Sequence, residues 1–181
     1  MTEISMRFSE AAARFTEILD AVPSSQWSNV SPCEGWTAID VVAHVVTSEH
    51  GFLAQRGIAP DIAVDEPLAA WPPLRDALQA VLDDPTKAAI EYDGMFGRTT
   101  VATTVDEFFT FDLIVHAWDI ARATGLSAME EIRSDELARV LESCAKFGDN
   151  LRMPGVCGPE IAVADDASEQ DKLLAFLGRT P

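Results

Sequence analysis

Basic residues are scarce: thirteen Lys and Arg stand against thirty Asp and Glu, for a formal net charge of −17. A surface that negative repels nucleic-acid phosphate and anionic lipid headgroups, so neither nucleic acid nor membrane is an expected partner. No apolar run approaches the ~18 residues that a membrane span needs, and the opening MTEISMRFSE has no apolar signal core. The three cysteines, Cys33, Cys144 and Cys157, are widely spaced and form no CxxC pair. That excludes a disulfide framework and a Cys-rich zinc site, and points to reduced thiols in a cytoplasmic protein. A Gly-rich phosphate loop, GxSxG and HExxH are all missing. Histidine is limited to His44, His50 and His116.

What is present suits one α-helical domain. The 181 residues are 48% hydrophobic and 24% charged, enough for a core without cross-links, and residues 1–181 read as a single domain. Residues 3 to 22 place Ile4, Phe8, Ala11, Phe15, Ile18, Leu19 and Val22 at helical spacing, with Pro23 after the end. Residues 24 to 36 (SSQWSNVSPCEGW) read as a compact loop with two tryptophans. Thr37-Ala-Ile-Asp40 then has capping-box spacing and opens a second helix, VVAHVVTSEHGFLAQR. Residues 57 to 67 read as a loop. Leu68, Trp71, Leu74, Leu78, Val81 and Leu82 mark a third helix, interrupted early by Pro72–Pro73. Residues 86 to 104 suggest a turn and one short extended segment. A fifth helix, capped by Ser134, runs through DELARVLESCAKFGDNLR and is broken at Pro154–Gly155, and a small helix spans Ser168 to Leu177. Long helices with crossover connections imply an all-α, four-helix bundle with extra short helices and an irregular C-terminal tail.

The fourth helix, VDEFFTFDLIVHAWDIARATG from Val105 to Gly125, is apolar on most sides yet carries Asp112, His116 and Asp119. At about 100° per residue these three share one face. A carboxylate and an imidazole four apart can grip one metal ion; a hydrogen-bonded Asp–His pair is the simpler alternative. Asp119 suits either the orientation of a ligand imidazole or a pair with Arg122. His44, set among Val41, Val42, Val45 and Val46, is a core histidine or a ligand. His50, beside Glu49, reads as a solvated-face residue. Cys33 reads as a small packing residue. Arg98, Arg122 and Arg152 read as surface cations.

The segments SPCEGWTAIDVVAHVV, FDLIVHAWDIARATG and ASEQDKLLAFLGRTP resemble the DinB-like (DinB/YfiT) metal-binding bundles, in the branch related to the N-terminal domain of mycothiol-dependent maleylpyruvate isomerase. The resemblance implies a four-helix bundle holding one divalent metal, most simply Zn2+, with Ni2+, Fe2+ or Mn2+ compatible. It assigns the metal to His44, Asp112 and His116. The isomerase branch has Glu where this chain has Asp112, so the metal must sit closer to the backbone or a water must bridge. It further implies a metal-dependent transferase or isomerase using a low-molecular-weight thiol such as mycothiol with an electrophilic substrate. The alternative is a non-catalytic metal-dependent small-molecule-binding or stress-related module. A further C-terminal domain, present in the isomerase, is not found here, so maleylpyruvate isomerisation itself is not expected. A homodimer through the outer bundle faces is left open. Catalytic residues beyond the metal ligands are not assigned.

Overall fold

The structure is a computed structural model that describes residues 1–153 and 155–181. Four long helices form the bundle: α1 (Glu3–Ala21), α2 (Ala38–Ala54), α3 (Pro67–Asp83) and α6 (Thr110–Ala123). Helices α1 and α2 each pack against both α3 and α6, which closes a ring of four around one core. Between α3 and α6 lie the short helix α4 (Pro85–Ala88), the strands β1 (Glu91–Gly94) and β2 (Gly97–Thr100), and the single turn α5 (Val101–Thr104). Helix α7 (Ser134–Phe147) packs outside α6, and α8 (Glu169–Phe176) closes the chain. The expected all-α bundle is therefore the architecture. Among the described residues no helix is long and apolar enough to cross a membrane.

The helices follow from their apolar stripes and caps. In α1, Phe8, Ala11, Ala12, Phe15, Ile18 and Leu19 are buried at three- and four-residue spacing, and Thr2 caps the start by accepting from the Ser5 N–H. Phe15 meets Trp71 of α3 edge-on at 4.9 Å, and the Trp71 indole N–H donates to Thr16 Oγ1 at 2.9 Å. This contact explains why α3 runs unbroken through Pro72 and Pro73, where the sequence predicts an interruption. Each proline removes one backbone hydrogen bond, but both are exposed, as are the Leu68 and Ala69 residues whose carbonyls lose a donor. Water can satisfy those carbonyls, while buried Ala70, Trp71 and Leu74 hold the turn against the core.

The region 86–104 contains two paired strands rather than one extended segment. Glu91 pairs with Thr100 and Gly94 with Gly97 in an antiparallel hairpin. The fourth helix of the sequence also starts earlier than Val105. It is a continuous helical path from Val101 with a π-turn at Val105–Phe109, where the Thr110 N–H reaches back five residues to the Val105 carbonyl. Arg7 of α1 clamps this turn through two bonds to Asp106, 2.9 Å from Nε to Oδ1 and 2.5 Å from Nη2 to Oδ2. Helix α7 has Arg133, not Ser134, at its N-cap, and it ends at Phe147, before a 3-10 turn over Gly148–Arg152. Pro154, read as the breaker, lies outside the described residues. Ser168 caps α8 as expected, accepting from the Asp171 N–H at 3.0 Å.

Candidate metal centre

The loop before α2 is fastened to both bundle helices that carry the candidate ligands. The Ser31 N–H donates to the Trp36 carbonyl and the Trp36 N–H to the Cys33 carbonyl, a tight turn in which Gly35 takes φ +78°. Asn29 accepts from the Ala38 N–H at the start of α2, and its side-chain amide donates to the Ala123 carbonyl at the end of α6. Thr37 and Asp40 form the expected reciprocal cap, which holds the Asp40 carboxyl below the usual range. Asp40 is thus a cap partner and not a ligand. The turn lays the Trp36 ring 5.0 Å from that of His44 and 6.4 Å from that of His116.

His44, Asp112 and His116 converge, each offering a donor atom within 4.8 Å of the others. His44 Nε2 lies 3.6 Å from Asp112 Oδ2, beyond a good hydrogen bond. Two donors ~2.1 Å from one tetrahedral ion stand roughly 3.4 Å apart, so the spacing suits co-ligation better than direct pairing. Asp112, though shorter than Glu, still reaches the same point as His44. The two imidazoles stand edge-on with centroids 5.2 Å apart. His50 is elsewhere, with Nε2 3.1 Å from the Pro60 carbonyl oxygen.

Asp119 sits behind His116, with its Oδ2 2.9 Å from Nδ1. Of the two roles open to it, the structure favours the imidazole; Arg122 pairs instead with Glu130 at 3.1 Å. Asp119 is wholly buried, and burial opposes its ionisation. The Arg179 guanidinium and the His116 N–H outweigh that and hold its carboxyl well below the usual range. An ionised Asp119 fixes His116 as the Nδ1–H tautomer, leaving the Nε2 lone pair free to bind a metal. Arg179 donates from Nε to Oδ1 at 3.2 Å and from Nη2 to Oδ2 at 2.9 Å.

Above the three donors opens a cavity of about 710 Å3, the size of a small-molecule site. Residues 8–68 match the mycothiol maleylpyruvate isomerase N-terminal domain family. That span holds α1, the Trp36 turn and His44, and bears out the resemblance drawn from the sequence; the family is metal-binding. Two uncharacterized proteins of Mycobacterium tuberculosis, MT0763 from strain CDC 1551 and Rv0738 from strain H37Rv, are each 29% identical over 97% of this chain and 97% of their own length. No solved structure matches the chain.

Within this centre, three residues differ from their sequence readings or were not singled out. Arg179 had no periodic signal, and only its place in the closing segment GRTP pointed to it. It can reach Asp119 because Gly178 takes φ +83° and lies against Gly158, where an added Cβ would come within 2.9 Å of backbone. Cys33 does more than pack: its Sγ lies 3.2 Å from Asp119 Oδ2 and 3.5 Å from Arg179 Nη2. Burial first, then the Asp119 charge, push its thiol up to about 12, against an opposing pull from Arg179. Cys33, His116 and Asp119 also stand close enough to form a donor set. With the thiol protonated and both Asp119 oxygens engaged by Arg179, they act as a hydrogen-bonded cluster behind His116. All three cysteines are free. Glu49, not singled out in the sequence except as the neighbour of His50, is 1% exposed, and neither carboxylate oxygen has a hydrogen-bond partner among the described residues. Burial, with Asp112 adding to it, holds its carboxyl well above the usual range.

Proposed function

We propose that the protein binds one divalent metal ion, most simply Zn2+, through His44, Asp112 and His116, and joins a low-molecular-weight thiol such as mycothiol to an electrophilic carbon. The observation that supports this reading is a set of three donors, two imidazoles and one carboxylate, opening on a cavity of about 710 Å3. Three protein ligands with an open position are the pattern of catalytic zinc sites, whereas structural sites close with four. Such an ion, when bound, lowers the pKa of a thiol and makes its sulfur nucleophilic at neutral pH.

The chain's own residues supply the rest. His44 and His116 would hold the ion through imidazole nitrogen, and Asp112 would offset part of its charge. Asp119 and Arg179 fix the angle and tautomer of His116. Trp36 covers one side of both imidazoles and limits water there. In the reaction the thiol releases its proton to solvent and the sulfur forms a C–S bond. In a substitution, the leaving group departs with the electron pair of the bond that breaks. In an addition, the neighbouring carbon takes up a proton. The free cysteines suit a reducing compartment such as the cytoplasm, and residues 1–181 are taken as one domain.

The test is a panel of electrophiles offered with mycothiol, bacillithiol, glutathione and cysteine, comparing metal-loaded protein with its His116→Ala variant. Some pairing should react faster with the wild type, stop on chelation and recover with added metal. Equal rates for both proteins across the panel would replace thiol transfer with a binding module.

A further inference from the structure

We propose that the cavity above the three donors takes a planar aromatic electrophile, held along a phenylalanine wall. This rests on the thiol-transfer reading and names its substrate class. Three separate elements build the wall: Phe96 at the hairpin turn, Phe108 in the π-turn and Phe147 at the end of α7. Phe96 stacks on Phe108 at 6.0 Å and 12°, and on Phe147 at 5.9 Å and 21°. Phe108 and Phe147 are 4.9 Å apart. Phe96 remains 52% exposed even though it is stacked, which leaves aromatic surface available to a ligand ring. Phe108 precedes Asp112 by four residues on the same helical path, about one turn, and both line the cavity. A ring lying on this wall would share the cavity with the metal ligands.

The charged groups around the cavity are already committed. Of the two acids that line it, Asp112 is assigned to the metal, and Glu34 is exposed. Its two arginines are already engaged. Arg179 faces Asp119 with two bonds and gives Nη1 to the Leu177 carbonyl at 2.9 Å. Arg152 gives Nη1 to the Gly158 carbonyl at 2.7 Å and Nη2 to the Phe176 carbonyl at 2.6 Å, with its plane over the Phe176 ring. The phenylalanine wall is therefore the feature of the cavity left to select the body of the ligand.

The experiment is isothermal titration of zinc-loaded protein with unreactive probes in the absence of thiol: 1-naphthylmethanol and its saturated counterpart cyclohexylmethanol. The naphthyl probe should bind more tightly. Phe96→Ser removes a half-exposed ring at the hairpin turn, and Phe108→Leu keeps an apolar side chain. Each should weaken the naphthyl probe by about 2–10-fold, with zinc stoichiometry unchanged. Cyclohexylmethanol binding as tightly as the naphthyl probe, or unchanged naphthyl affinity in both variants, overturns the assignment. Because no thiol is present, probe binding can fail while thiol transfer succeeds, and the reverse holds as well.

Discussion

Replacing Asp119 with Asn keeps the shape of the side chain and removes its charge. In the wild type the carboxylate faces Arg179 twice, His116 Nδ1 and the Cys33 thiol, all in a position with no exposure. Asn offers one acceptor oxygen and an NH2 that must face other donors. Arg179, itself 7% exposed, is then a buried cation without a counter-charge. Breaking such a pair from one side costs roughly 3–5 kcal/mol. His116 also loses the partner that sets its tautomer, which should lower zinc affinity by about 10–100-fold. Urea unfolding of metal-free protein reads the first effect as a lower midpoint at unchanged slope; zinc competition with a chelating dye reads the second. The pH dependence carries the same signature. Because the folded carboxyl is held below its unfolded value of ~3.9, its stabilisation is complete above that pH and is lost as pH falls further. Wild type should therefore lose its advantage over Asp119→Asn on acidification below about pH 4. The double variant Asp119→Asn/Arg179→Met should recover part of the lost stability. A loss under about 1 kcal/mol together with unchanged zinc affinity would refute this reasoning.

Glu49→Gln should stabilise the metal-free protein. The folded Glu49 carboxyl titrates above its unfolded value of ~4.3, so its cost grows as pH rises from there towards the folded value; the gain in Tm of the variant should therefore be larger at pH 8 than at pH 5. Gly178→Ala should loosen the C-terminal segment, since it combines a left-handed backbone, worth about 1–2 kcal/mol, with a clash on Gly158. Faster proteolysis near α8 and weaker zinc binding through the freed Arg179 are the expected readouts.

The parts of the fold that were legible are those whose cause is local. The stripe of α1, the Thr37–Asp40 cap and the four-residue step from Asp112 to His116 are all written in neighbouring residues, and the structure has them. The pair Pro72–Pro73 was misleading because the penalty of a proline depends on whether the carbonyl it strands meets water or core. Glu49 was misleading because charge predicts exposure only on average, and here its neighbours Val45, Val46 and Leu53 are buried on the same helix. The Asp119–Arg179 pair spans 60 residues and has no period to betray it. The phenylalanine wall is assembled from three elements whose meeting depends on the hairpin, which alternation in residues 86–104 only hinted at.

The central claim is that His44, Asp112 and His116 hold one metal ion with a position left open for sulfur. Titration with Co2+, followed by addition of a small thiol, tests both halves in one spectrum. The account predicts saturation at one ion per chain with the intense visible absorption of a four-coordinate site, then a new sulfur-to-metal charge-transfer band when thiol is added. Neither feature should survive in His116→Ala. Absence of stoichiometric binding in the wild type, or the same spectrum in the variant, would contradict it.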